Sequence, residues 1–131
     1  MKIKQVSVFA ENTQGRLLAI LKALDGAKVS LRAISVSENA DFGIVRMIMD
    51  DPEKGIVALK EVGFTGRLDT LLTAEIPGAP SGMLKTIVQP LAENSVNVDY
   101  FYAFLDQKPG TARIVLKTSD DKKAEELLGS K

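Results

Sequence analysis

The chain repeats itself. Gly15, Leu17, Ile20, Leu24, Val29, Leu31, Gly43 and Arg46 recur 67 residues later as Gly82, Leu84, Ile87, Leu91, Val96, Val98, Gly110 and Arg113. The match runs from Gly15 to Arg46 without a gap. Self-similarity at one period means two copies of a small unit, and it constrains the fold before any other feature is read. The length, 131 residues, suits one compact domain or two small units sharing a core.

Composition removes several classes of function. There is no Cys and no His, so disulfides, thiolate metal sites, cysteine nucleophiles and imidazole bases are all excluded. Seventeen basic residues balance seventeen acidic ones, whereas nucleic-acid binders usually carry a basic surplus. No apolar run approaches the ~20 residues of a membrane helix. Met1 to Gln5 leads directly into an alternating strand and carries no signal-peptide pattern. The expectation is a cytoplasmic protein with no membrane or nucleic-acid partner, no cofactor and no metal. No P-loop and no nucleophile–base pair is present. Asp50-Asp51 and Asp120-Asp121 resemble metal pairs by type, but they precede helices and fit the helix dipole.

The pattern along the chain is β-α-β-β-α-β. Lys4 to Phe9 alternates as a half-buried strand, with Val6 and Val8 on one face. Leu17, Leu18, Ile20, Leu21 and Leu24 have helical spacing, with Asn12 or Thr13 as the expected cap and Gly26 as the stop. Val29–Glu38 and Phe42–Met49 read as a hairpin, and Pro52 opens a second helix that runs to Gly63. Arg67 to Ile76 has no breaker, so it closes one copy and opens the next. The boundary therefore falls near 70/71, giving copies 1–70 and 71–131 that share a strand at 67–76. In the second copy a helix follows Gly82, then strands 96–105 and 111–117, then a helix over 120–128. Pro90 lies inside the first of these helices and is expected to bend or shorten it. The strand at 67–72 would recur at 134–139, past Lys131, so the second copy lacks its last strand and leaves an open sheet edge. The fold class expected is α+β: two ferredoxin-like βαββαβ units side by side, an antiparallel sheet with helices on one face.

The stretch Val8 to Leu17, with its polar turn, Gly15 and Leu17, resembles the opening of an ACT domain. Glu75 to Leu84 carries the matching Gly82 and Leu84. Val29-Ser30-Leu31 and Val96-Asn97-Val98 are similar to the family's entry into its second strand. Across nearly the whole chain the resemblance is to stand-alone tandem ACT proteins. It implies a non-catalytic regulatory protein whose ACT units pair and hold a small ligand at their seam. That ligand is usually an amino acid, and the implied partners are a second copy and an amino-acid biosynthetic enzyme.

Physical chemistry favours the same place. A helix N-terminus offers unpaired N–H groups to a carboxylate, and Gly15 and Gly82 allow close approach. The ligand-binding candidates are therefore Asn12, Thr13, Gln14, Gly15, Arg16, Ser35, Ser81, Gly82, Met83, Tyr100 and Tyr102. Each has a plainer reading. Asn12 and Thr13 can cap a helix, Gly15 can serve a turn, and Arg16 can be a solvated charge. Tyr100, Tyr102 and Phe104 fall on one strand face and Phe101 on the other. They line a pocket, or they fill a doubly buried strand or a subunit interface. Arg46 and Arg113, taken as equivalents, should point away from the helices.

The leading expectation is an amino-acid sensor. The alternative is an oligomerisation module without a ligand. RNA binding to the aromatic strand conflicts with the neutral charge. Acyl-phosphate hydrolysis using Arg16 is weakened by the absence of Arg at 83.

Overall fold

The computed structural model describes residues 2–11, 13–39, 42–77, 83–104 and 111–129. Its elements are β1 (Lys2–Glu11), α1 (Arg16–Gly26), β2 (Leu31–Asn39), β3 (Phe42–Met49), α2 (Pro52–Glu61), β4 (Gly66–Pro77), α3 (Met83–Glu93), β5 (Val98–Phe104), β6 (Thr111–Thr118) and α4 (Asp121–Leu128). They form two compact units, Lys4–Thr70 and Leu71–Lys131, and residues 1–3 cluster with the latter. We call these the first and second units. The protein is α+β and has the architecture of a tandem ferredoxin-like pair.

In the first unit β3 is central, antiparallel to both β1 and β2. The strand order is β2-β3-β1, with the opening residues of β4 beyond β1. Helices α1 and α2 cover one face. Val6, Val8, Val45, Met47 and Met49 meet Ile20, Leu24, Leu59 and Phe64 in the core. In the second unit the order is β4-β6-β5, and Leu72, Ala74, Ile114 and Leu116 meet Ile87, Leu91, Ala124 and Leu128. The edge expected to lie open beside β4 is not open. Lys2 and Ile3, the start of β1, cluster with this unit, and β1 stands next to β4 in the strand order.

Three sequence readings are corrected. First, β1 is not half-buried. Gln5, Val6, Ser7 and Val8 are all buried. The two polar members, two residues apart on one face, bond to each other, with Gln5 Nε2 donating to Ser7 Oγ at 3.1 Å. Mutual hydrogen bonding makes their burial tolerable. Second, of the two effects expected of Pro90, shortening does not occur: α1 and α3 both span 11 residues. Ile87 and Leu91 flank the proline and are 2% and 0% exposed. Their packing outweighs the backbone bond that proline forfeits. Third, α1 does end at Gly26, but Gly26 does not adopt the left-handed conformation expected of a glycine stop. That conformation falls on Lys28 (φ 59°) and on its counterpart Ser95 (φ 62°). Val29 N–H donates to the Leu24 carbonyl at 2.9 Å and Lys28 N–H to Asp25 at 3.0 Å. Val96 and Ser95 repeat this onto Leu91 and Ala92 at 2.8 and 3.2 Å. Both are Schellman endings, and the buried Leu24–Val29 and Leu91–Val96 pairs supply their apolar contact.

The repeat also slips. Ser30 and Asn97 lie 67 residues apart, and their carbonyls accept from the N–H groups of Asp50 and Ser119, which lie 69 apart. Core pairing says the same, since Ile34 faces Met47 and Phe101 faces Leu116. The second hairpin is two residues longer. Arg46 therefore corresponds to Val115, and Arg113 to Ile44. The gapless match at Arg46/Arg113 is not a structural equivalence, and Gly110, matched to Gly43, lies outside the described residues. A slip of two leaves every side chain on its original face, so the hydrophobic pattern could not register it. Both arginines do lie on the face away from the helices.

Candidate functional site

Of the turn between β1 and α1, the described residues are Thr13, Gln14, Gly15 and Arg16. Thr13, Gln14 and Gly15 are exposed. Thr13 N–H donates to the Glu11 carbonyl at 2.8 Å, and the Thr13 carbonyl accepts from Arg16 N–H at 3.3 Å. The helix begins at Arg16, so the N-cap is Gly15, with φ 89° and no side-chain hydrogen bond to the helix start. The expected cap by Thr13 is not made, because the helix starts three residues beyond it. Asn12 lies outside the described residues. A Cβ built on Gly15 would meet nothing within 4 Å. Space is thus open beside Gly15, and no side-chain oxygen caps the helix start.

Arg16 turns inward. Its guanidinium carbon lies 4.8 Å from the ring centre of buried Phe64, a cation–π contact. Its Nε is buried with no hydrogen-bond partner. The solvated-charge reading of Arg16 therefore does not hold.

Ser35 is half-buried on β2, opposite Arg46 of β3. Arg46 Nη1 donates to Ser37 Oγ at 3.3 Å. The residues on either side of Ser35, Ile34 and Val36, pair with the core residues Met47 and Val45. Ser35 therefore faces away from the layer that contains α1. Within its own unit it does not join the turn.

In the second unit, Tyr100 and Tyr102 are half-buried on β5. Their rings stack with centroids 6.5 Å apart at 19°. Phe101 points to the opposite face and is 46% exposed, so β5 is not buried on both sides. Arg113 donates to Thr73 Oγ1 at 3.3 Å and lies 4.0 Å from Glu75. Ser81 and Gly82 lie outside the described residues. Met83 opens α3, but its side chain is outside the description.

Sequence reading missed two grooves, one per unit, each between the first helix and the outermost strand. Leu21, Asp25, Val29, Ser30 and Leu31 line a groove of about 580 Å³. Val88, Ala92, Val96, Asn97 and Val98, their counterparts 67 residues on, line another of about 530 Å³. The signal was available in the matched pairs themselves. Among the described residues, no helix is long and apolar enough to cross a membrane.

Comparison with known proteins agrees with this architecture. The family model described as an ACT domain pair matches residues 1–131. The chain belongs to the ACT domain pair family. Its structure is similar to that of protein BT0572 from Bacteroides thetaiotaomicron. Sequence identity there is 34% and the TM-score 0.86, over 98% of this chain and 87% of that one. It is also similar in fold to the ligand-free regulatory subunit of aspartate kinase from Thermus thermophilus, at 13% identity and TM-score 0.66, over 95% and 87% of the two chains. The corresponding subunit from Thermus flavus gives 11% and 0.63, over 95% and 89%. No curated protein sequence matches. ACT domains are regulatory modules, and that is the class of protein the fold defines.

Proposed function

We propose that this protein is a non-catalytic sensor of a free L-amino acid, bound where ACT units abut. Binding alters its association with itself or with an amino-acid biosynthetic enzyme. The observation that carries the reading is the start of α1, a helix N-terminus with no side-chain cap and open space at Gly15. An α-carboxylate fits such an end, since main-chain N–H groups and the helix dipole both favour an anion. Thr13, Gln14, Gly15 and Arg16, with Asn12, form this lip. Ser35, Tyr100, Tyr102 and the turn at Ser81, Gly82 and Met83 are assigned to the remaining contacts. Membership of a regulatory family and a fold shared with regulatory subunits of aspartate kinase support an effector role.

Thermal unfolding against each of the twenty amino acids tests the proposal. A ligand at 100 times its dissociation constant stabilises the folded state by about 2.7 kcal/mol and raises the melting temperature. Folded protein that responds to none of the twenty removes the sensor reading and leaves the ligand-free oligomerisation module.

A further inference from the structure

Arg16 is the charged member of the candidate lip. Thr13, Gln14 and Gly15 carry no charge, and the first turn of α1 holds no acidic residue. A cation as the first helical residue sits at the positive end of the helix dipole, which favours anions instead. Arg16 is also half-buried, against the buried ring of Phe64. Burial strips water from a guanidinium, and such a group is ordinarily matched by a carboxylate. Arg67 has Asp69 at 3.2 Å and Arg113 has Glu75 at 4.0 Å. The Arg16 side chain makes neither an ion pair nor a hydrogen bond among the described residues.

The geometry shows which part of the group remains to be used. Its carbon lies 4.8 Å from the Phe64 ring centre, and Nε is buried without a partner. The terminal nitrogens are not buried in this way. Their edge is left to meet a carboxylate through a pair of parallel hydrogen bonds. Phe64 at its back holds the guanidinium plane, and a fork already held loses less freedom on binding. The matched position in the second copy is Met83, so this charge belongs to the first unit alone.

We propose that Arg16 sets the class of ligand: the amino acid sensed has an acidic side chain. Its α-carboxylate lies at the start of α1, and its side-chain carboxylate meets the outer edge of Arg16. This assignment rests on the amino-acid reading of the same site and narrows it to aspartate and glutamate. A basic side chain would bring a second cation beside Arg16, and an amide would leave the guanidinium without an anion. If Arg16 served packing on Phe64 alone, its loss would affect every ligand alike.

Calorimetric titration of the full-length protein at low salt tests this, with circular dichroism to show that each variant is folded. L-Aspartate or L-glutamate should bind wild type at least about tenfold more tightly than its own amide, and more tightly than L-lysine. Arg16→Met, which copies position 83, should bring the acid-to-amide ratio close to one. Arg16→Lys should still prefer the acid, at a smaller ratio, because the charge remains without the fork. The wild-type ratio decides the matter by itself if Arg16→Met does not fold. Wild type that prefers an amide, another neutral amino acid or a basic one would overturn the inference and leave the sensor reading intact. So would an Arg16→Met variant that keeps the preference, or one that loses acid and amide equally. Binding of none of the twenty amino acids would remove both.

Discussion

The two units build the same corner with different materials. In the first, α2 approaches β3 at Gly55, and a Cβ there would collide with the Met49 thioether. In the second, the counterparts 69 residues on are Ala124, fully buried, and Thr118, 1% exposed. A glycine beside a long side chain has become an alanine beside a short one. Helix–sheet spacing is therefore set by the summed volume at the contact, not by either residue alone. A second contrast lies on the opposite face. Phe9 pairs with Ile44 in the first unit, where Glu75 pairs with Arg113 in the second. Phe9 is 66% exposed, whereas the Arg113 side chain is only 18% exposed and is held by Thr73 and Glu75. One copy keeps an apolar pair where the other has an ion pair.

The largest effect that bears on this comparison should come from Gly55→Ala. Overpacking costs about 1–3 kcal/mol, less up to ~1 kcal/mol gained from alanine's helix propensity. Met49→Thr added to it should recover most of the loss, because the pair then copies Ala124 and Thr118. Urea unfolding of the single and double variants measures this. If the two losses simply add, the volume account is wrong.

The helix caps should show the opposite, an equality. Asp51 accepts from Lys54 N–H at 3.2 Å, and Asp120 accepts from Lys123 N–H at 3.0 Å. Asp51→Ala and Asp120→Ala should each cost about 1 kcal/mol in chemical unfolding. A clear inequality would show that the copies do not use their caps alike.

Asp121 supplies a difference in pH response. Burial alone would raise its pKa, but the Thr118 hydroxyl at 2.6 Å, the Thr118 N–H at 3.1 Å and Lys117 Nζ at 3.3 Å outweigh burial and hold it below the ordinary carboxylate value. A depressed carboxylate stabilises the fold above its unfolded-state pKa, near 4, and that contribution disappears as pH falls through the folded value. Its counterpart in the first unit is Pro52, which cannot titrate. Stability of Asp121→Asn measured from pH 7 to pH 3 should therefore fall less steeply than that of wild type. Equal slopes would remove Asp121 as a source of acid sensitivity.

The smallest effect should be a gain. Lys28 and Ser95 occupy left-handed backbone without being glycine. Lys28→Gly and Ser95→Gly should each stabilise by up to about 1 kcal/mol, strain relief exceeding the added freedom of the unfolded chain. A loss at either position would mean that the side chain makes a contact worth more than the strain.

Much of this molecule could be read from its letters. The period of 67, the element order, the hairpin strand Phe42–Met49 and the core positions Ile20, Leu24, Ile87 and Leu91 follow from spacing, because hydrophobic burial imprints a period of 3.6 or 2 on a sequence, whereas Leu17 and Leu18, read from the same spacing, are 41% and 54% exposed. The candidate site was less legible. Thr13 looked like a cap, yet the backbone delays the helix to Arg16 and leaves Gly15 there. Arg16 read either as a ligand contact or as a solvated charge, and its proximity to Phe64, 48 positions away in sequence, was visible only in the structure. Ser35 was a candidate on the second strand, and strand pairing places it on the face away from the helices, which alternation along one strand could not name.

The chain alone determined that there are two copies, in what order their elements run, and which face of the periodic elements is apolar. Three-dimensional packing decided the two-residue slip between the copies, the burial of Gln5 and Ser7, the intact helix around Pro90 and the exposure of Ile34 and Val36. The division has one cause. Local periodicity records which side of an element is apolar, and it is unchanged by an even shift or by what lies opposite. Contacts between residues far apart in sequence leave no periodic trace, so only the assembled structure reveals them.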